Sequence, residues 1–395
     1  MEPLESWICP STSYPSSSNT NTAEPPPSPP PEACRSVGTR LGNILASVHC
    51  DASLLSKSQT VTDDGNLWFE NPGTKDLLQN EIVGRILPIL RPHFDPDTGR
   101  PEEIAKIISQ DFETSFLDTL YSSSASSPSE SGVPKFMFSM GDLWTGSILV
   151  GFPPITPSSN PILGHTDVEL GLIDWEFAAP GRIGQDIAQL SAWLYLYSTS
   201  SAWSSTEPRY RRAVMDTIAV SPPPGIGLGQ FGPDFGTGAG DNSLGAEGGT
   251  KHVTGEMPGQ RSIAGNILNA LLESYAHKVK EYPTYAWFVD ENHDHRSRFR
   301  KDRLAVIRSI WILFGREIIY NAIEAESKFS KFFPVGVVNG DEREKEAGIK
   351  MWQRVMIEVG SWHVSKAGES SDEEFEVVAR KEGVLKGMYT VSGSS

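Results

Sequence analysis

The sequence predicts an α+β fold that is mainly helical and carries a small β element in its middle. Apolar residues recur at helical spacing in seven separate stretches, whereas only three short apolar runs have the length of strands, all of them between residues 135 and 173. The third observation is compositional. With 36 Gly and 29 Pro in 395 residues, part of the chain is linker rather than core.

Residues 1 to 33 hold nine prolines and ten Ser or Thr with few large apolar side chains, so they are expected to be disordered. The folded part is expected from residue 34 to 366. In its first helix, from Gly38 to His49, Leu41, Ile44, Leu45 and Val48 fall at i, i+3, i+4 and i+7 and make one apolar stripe. Two more helical patterns follow, through Ile82, Val83, Ile86, Leu87 and Leu90, and through Ile104, Ile107, Ile108, Phe112 and Phe116. The strand-length runs are Lys135 to Met140, Ser147 to Phe152 and Val168 to Ile173. Beyond them Ile187, Leu190, Trp193 and Leu194 form a helical stripe, and three helices are expected near Ile263 to Tyr275, Leu304 to Ile323 and Met351 to Val364.

Residues 221 to 260 contain twelve Gly and five Pro and read as a flexible insertion. Gly227, Gly229 and Gly232 spell GxGxxG there, but Pro222, Pro223 and Pro224 stand where a phosphate cradle needs a strand. Residues 367 to 395, with five acids from Glu369 to Glu376, read as a solvated acidic tail.

Charge and cysteine content narrow the function. Thirty-four Lys and Arg against 50 Asp and Glu give a net charge of -16, which repels a phosphate backbone and argues against nucleic acid as a partner. Cys9, Cys34 and Cys50 are odd in number and lack metal-site spacing, which fits a reducing compartment. The longest apolar stretch, Leu304 to Tyr320, is broken by Arg308, Arg316 and Glu317, and the N-terminus has no basic region followed by an apolar one. A soluble, cytoplasmic protein without membrane attachment is expected.

The chemistry concentrates in FSMGDLWTGSILV, Phe138 to Val150, and LGLIDWEFAAPGRIGQDIAQLSAW, Leu170 to Trp193. Each is a strand running into a loop that presents carboxylates: Asp142 in the first, Asp174 and Glu176 in the second. Paired strands would bring these acids together, and clustered carboxylates call for a cation, with hard oxygen ligands selecting Mg²⁺. Such a site suits phosphoryl transfer, in which one carboxylate takes the proton of the attacking hydroxyl while others hold the metal on the nucleotide phosphates. His293 and His295 are two apart, but no third ligand of suitable spacing follows, and an exposed loop is the simpler reading.

These two segments resemble the aminoglycoside phosphotransferase and choline kinase branch of the protein-kinase-like fold, whose HGDxxxxN catalytic loop precedes a metal-binding Asp in an IDW or IDxE context. Met140-Gly141-Asp142 is similar to the first motif with Met in place of His, and Ser147 stands where the family has an Asn metal ligand. GDLWTGS and DWEF are similar to the GDLHTGS and DPEF elements of methylthioribose kinases. The resemblance implies a mainly helical C-terminal lobe of that fold, with the small β element carrying the catalytic loop. It implies Asp142 as catalytic base, Asp174, Glu176 and Ser147 on the metal, and Asp186 beneath the catalytic loop. ATP and Mg²⁺ are the implied cofactors, and the implied partner is a small polar molecule with a hydroxyl. Trp144, beside Asp142, is placed either to stack on a substrate or to pack in the core. The stretch AGIKMWQR resembles a substrate segment of methylthioribose kinases, which implies a substrate contact for Arg354.

An N-terminal lobe of about five strands and a helix needs roughly 55 residues, and only 33 precede Cys34. The helix ending in ASVH resembles the family helix that follows the hinge, so the chain is expected to begin just after the hinge. The expected function is ATP-dependent phosphorylation of a small hydroxyl compound. Two alternatives stand beside it: a non-catalytic remnant of the lobe, and an incomplete reading of the gene that omits the ATP-gripping part.

Overall fold

A computed structural model of the protein describes residues 1–8, 29–58, 79–80, 83–114, 134, 136–151, 168–204, 263–289, 297–324, 342–381, 385 and 388. The strands are β1 (Glu2–Pro3), β2 (Phe136–Ser139), β3 (Ile148–Gly151), β4 (Glu169–Leu172) and β5 (Ala179–Arg182). The helices are α1 (Leu4–Ile8), α2 (Pro31–His49), α3 (Ala52–Ser58), α4 (Ile86–Leu90), α5 (Arg100–Phe112), α6 (Gln185–Ser204), α7 (Ile263–Val279), α8 (Ser297–Ala322), α9 (Glu342–Glu369) and α10 (Asp372–Lys381). The described residues are therefore mostly helical with small antiparallel sheets, an α+β arrangement. None of the described helices is long and apolar enough to cross a membrane. The 221–260 insertion, the GxGxxG within it, and His293 and His295 lie outside the described residues.

The sheets are β1-β3-β4 and β2-β5. Their registers pair Ile148 with Leu172 and Ser139 with Ala179. Three of these strands lie inside the runs expected to be extended. The sequence of β5, Ala-Pro-Gly-Arg, gives no strand signal, and it is extended because it pairs with β2. Pro180 is tolerated because β5 has a partner on one side only among the described residues.

Residues 1 to 8 correct the expectation of a disordered first segment. β1 adds to the edge of β3, and Leu4 and Ile8 of α1 are buried in the core. Averaging composition over 33 residues hid the apolar start Met1, Leu4, Trp7 and Ile8. α2 likewise starts earlier than expected, at Pro31, whose fixed φ and missing N–H suit the first helical position. The acidic run near residue 370 is corrected as well. Ser371 and Glu374 form a reciprocal cap, Ser371 N–H to Glu374 Oε2 at 3.1 Å and Glu374 N–H to Ser371 Oγ at 3.3 Å. Three acids occupy the first turn of α10, where the helix dipole favours them. Phe375 is fully buried, and the Arg308 guanidinium lies 4.5 Å from its ring centroid.

The core runs through α6. From Gln185 to Ser200 every residue except Tyr195 is buried, the mark of a helix surrounded on all sides. Two helix pairs flank it at close approach. α2 turns Gly38 and Gly42 toward α7, where a Cβ at Gly38 would strike the Ile267 carbonyl, and one at Gly42 would sit 2.6 Å from the Leu271 carbonyl. The buried face of α2 is therefore Val37, Gly38, Leu41, Gly42, Leu45 and Ala46, with Ile44 and Val48 at its margin. In α8 and α9, Gly315 and Gly360 face each other, and a Cβ on either would lie 2.5 to 2.6 Å from the carbonyl oxygen of the other. A buried ion pair joins Arg182 of β5 to Asp111 of α5, and Arg182 also donates to Ser309 Oγ of α8 at 2.8 Å.

The α8–α9 crossing predicts opposite outcomes for two glycines of one helix. Gly360→Ala should destabilise the protein by about 1–3 kcal/mol, because backbone meets the new methyl. Gly348, with nothing within 4 Å of a built Cβ, should gain about 0.5–1 kcal/mol as Ala from helix propensity alone. Urea titrations of both variants check this. A second expectation concerns His363, buried among Trp311, Phe314 and Trp362 with ring centroids 4.8 to 5.0 Å away. Burial lowers its pKa from 6.5 to about 4, against the opposing hydrogen bond to the Val359 carbonyl. Between those values the unfolded chain binds the proton and the folded chain does not, so stability falls as pH drops from 6.5 toward 4. The loss should reach about 3 kcal/mol, and His363→Phe should flatten that part of the curve in melts at stepped pH.

Candidate functional site

The two-sheet topology places two loops at one end. β2 leads through residues 140–147 into β3, and β4 leads through residues 173–178 into β5. Because β2 pairs with β5 and β3 with β4, both connections emerge on the same side. They touch. Gly141 has φ +86°, a conformation that favours glycine, and a Cβ there would lie 3.0 Å from Phe177 Cβ and closer still to the Phe177 carbonyl. Asp142, the next residue, and Glu176, just before Phe177, therefore sit on contacting stretches, and both are exposed.

Asp174 is exposed too, and its φ of 64° makes it the one non-glycine residue with positive φ among those described. Asp is among the few side chains that tolerate this left-handed region, at a cost of about 1–2 kcal/mol. Across the β3–β4 ladder, the Ser147 carbonyl accepts a 2.9 Å hydrogen bond from the Ile173 N–H, so Ser147 stands beside the residue preceding Asp174. Its hydroxyl is buried and has no hydrogen-bond partner among the described residues.

Beneath the first loop lies Asp186, in the first turn of α6 and 1% exposed. Its Oδ1 accepts from Ser139 Oγ at 2.6 Å and from the Gly141 N–H at 3.1 Å. Its Oδ2 accepts from the Met140 N–H at 2.7 Å and from His49 Nε2 at 2.9 Å. Burial pushes this carboxyl up, but the His49 bond and charge, with the donors at Ser139 and Met140, hold it below the usual carboxylate range. An ionised Asp186 fixes the proton on His49 Nε2, which in the neutral imidazole leaves Nδ1 to accept from the Tyr275 hydroxyl at 3.0 Å. Burial, with Cys50 and the Asp186 charge nearby, raises the Tyr275 phenol well above its ordinary value. Gln185 completes the support by donating from Nε2 to the Gly141 carbonyl at 3.3 Å.

The two residues named for possible substrate contact both have protein neighbours. Trp144 packs: it is half-buried, lies over Gly146 and meets Trp193 of α6 at 5.9 Å between centroids. Arg354, in the middle of α9, donates to Glu358 at 3.4 Å and lies within electrostatic reach of His93. The structure thus gives it neighbours in the region between α4 and α5 rather than on the two loops.

Among the described residues no group of three or more His, Cys, Asp or Glu side chains is gathered closely enough to hold a metal ion. Mg²⁺ does not require one, since it is commonly bound through one or two carboxylates, waters and substrate phosphates. The oxygen donors of Asp174 and Glu176, with the unpartnered Ser147 hydroxyl, suit that ion in kind.

Sequence reasoning missed His49, Ser139, Tyr275 and Gln185. His49 left a usable trace, because it continues the buried row of α2 four residues after Leu45, and a polar side chain on that row needs a buried partner. No protein-family model matches the chain, and no curated protein matches it significantly.

Asp186→Asn should be costly despite its similar shape. An amide nitrogen would face two donors on one side of the carboxylate, leaving buried groups unpaired, and the expected destabilisation is about 3–5 kcal/mol. Because the folded pKa is depressed, the Asp186 contribution is fully present above about 3.8 and is lost as pH falls through the lower folded value. Chemical denaturation from pH 6 down to 2.5 should show an acid limb that Asp186→Asn lacks.

Proposed function

We propose that this chain is a phosphotransferase of the aminoglycoside phosphotransferase-like kind, moving the γ-phosphoryl group of ATP to a hydroxyl of a small polar molecule. The single observation that carries the reading is the bonding of buried Asp186 by three donors of the strand end and loop that present exposed Asp142, with His49 of α2 as a fourth donor. A general base works only if it is held in place, and here the residues on its N-terminal side are held by their own N–H groups. Asp142 accepts the proton of the attacking hydroxyl. Asp174 and Glu176, on the contacting loop, would hold Mg²⁺ with help from Ser147. When bound, that ion supplies charge neutralisation on the phosphoryl oxygens. The contrasting environments of Asp142 and Asp186 divide the labour, one carboxylate exposed and the other buried and spent on architecture.

A second reading, a lobe that holds a ligand without turnover, is favoured by one feature: the Ser147 hydroxyl is fully buried, away from any solvent-borne ion. The two readings separate in an ADP-release assay on the intact chain with Mg²⁺-ATP and a panel of hydroxyl compounds. Acceptor-dependent release is expected, falling about 10²–10⁴-fold in Asp142→Ala with an unchanged melting curve, since Asp142 is exposed. Binding of a panel compound without release, or release unaffected by Asp142→Ala, would remove the role assigned to this residue.

A further inference from the structure

We infer that the molecule phosphorylated carries its hydroxyl on a ring, and that Trp175 is the platform on which the face of that ring lies. The inference rests on the phosphotransferase reading of the same loops. Four large hydrophobic residues are exposed among those described, Met1, Ile173, Trp175 and Val377, and two of them flank Asp174. Ile173, Asp174, Trp175 and Glu176 are all exposed in succession, which an extended strand with alternating faces does not allow. The left-handed backbone at Asp174 is what breaks the alternation. A tryptophan 40% exposed beside a strained aspartate is poorly explained by core packing.

Trp175 is exposed without being loose. Its Nε1–H donates to the Leu172 carbonyl at 2.9 Å, and its ring stacks on Phe138 with centroids 6.4 Å apart and planes 27° apart. Both restraints fix the indole before any ligand arrives, which lowers the entropy cost of binding. They also decide what it can recognise. With the only polar hydrogen of the side chain used internally, it offers π face and ring edge, and no donor. Phe138 is four residues before Asp142, and Trp175 follows Asp174, so this surface borders both candidate catalytic loops. A partner that covers an aromatic face in one contact, while offering a hydroxyl at its edge, is a ring, either saturated with an apolar C–H face or aromatic.

The test is ligand-observed saturation-transfer NMR on the intact chain, which needs no turnover. The probes are methyl glucoside and myo-inositol as saturated rings, benzyl alcohol as an aromatic ring, glycerol and choline as acyclic alcohols, and adenosine. At least one hydroxyl-bearing ring should receive saturation on its ring protons, with affinity about tenfold weaker in Trp175→Ala and near the parent value in Trp175→Phe. Which ring class responds identifies the source of the shared chemistry. Melting curves confirm that both variants fold. Rings binding no better than glycerol or choline, unchanged affinity in Trp175→Ala, or adenosine as the compound that depends on Trp175, each overturns the inference. Ring binding without ADP release sinks the phosphotransferase reading and leaves the platform standing. ADP release that ignores Trp175→Ala does the reverse.

Discussion

One buried carboxylate sets the conditions that the rest of the structure meets. A charge as deeply placed as Asp186 is tolerable only when each oxygen is saturated with donors, and both of its oxygens accept two. Two of the four donors are backbone N–H groups at Met140 and Gly141. Any other path of the chain between β2 and β3 would withdraw those donors and leave the charge unpaired. The loop conformation is therefore enforced from below, and the left-handed Gly141, pressed against Phe177, is the backbone form that satisfies it. Local strain is stable here because the alternative costs more.

The helix packing serves the same requirement at longer range. His49 closes α2 and Tyr275 lies near the end of α7, and the two meet at 3.0 Å. That contact requires the helix axes to run close together along their length, which Gly38 and Gly42 permit by presenting bare backbone to Ile267 and Leu271. Larger side chains there would separate α2 from α7 and carry His49 away from Asp186. Glycines that cost helix propensity are thus coupled to a hydrogen bond several turns away.

How much of this was legible in the sequence depends on the range of the interaction. Patterns fixed by local periodicity were readable: β2, β3, β4, α5, α6, α7 and α8 all fall where apolar spacing places them. What depends on a distant partner was not. β5 has the composition of a turn and is extended only because β2 supplies its ladder. α1 is too short to register against nine neighbouring prolines, and its reason to fold is the β3 edge and the core under it. At the site, the acids of the two loops could be named from spacing and resemblance, and Asp186 proved to lie beneath the loop. Its partner His49 showed only as a polar residue on the buried row of α2, and its pairings with Asp186 and Tyr275, across 137 and 226 residues, were not legible. Arg354 was named from a short sequence likeness alone, and its helical neighbour Glu358 did not enter that reading.

The contrast between the acids matters more than their number. Asp186 is enclosed and fully used, so it cannot exchange its donors for a ligand without loosening the loop. Asp142, Asp174 and Glu176 are exposed to solvent, where a carboxylate can exchange partners with water at little cost. In a chain of net charge -16 those exposed acids also repel any anion that approaches unaccompanied. Screening confines that repulsion to about 8 Å at physiological salt, which is the range at which a phosphate chain would have to seat itself against the loops. A polyphosphate would therefore need cations that offset both partners, whereas a neutral ring resting on Trp175 would meet no such barrier. On the proposed function the same loops would treat two ligands by different physics, charge compensation at Asp174 and Glu176 and dispersion at Trp175, and the backbone reversal at Asp174 is what lets both surfaces face solvent at once.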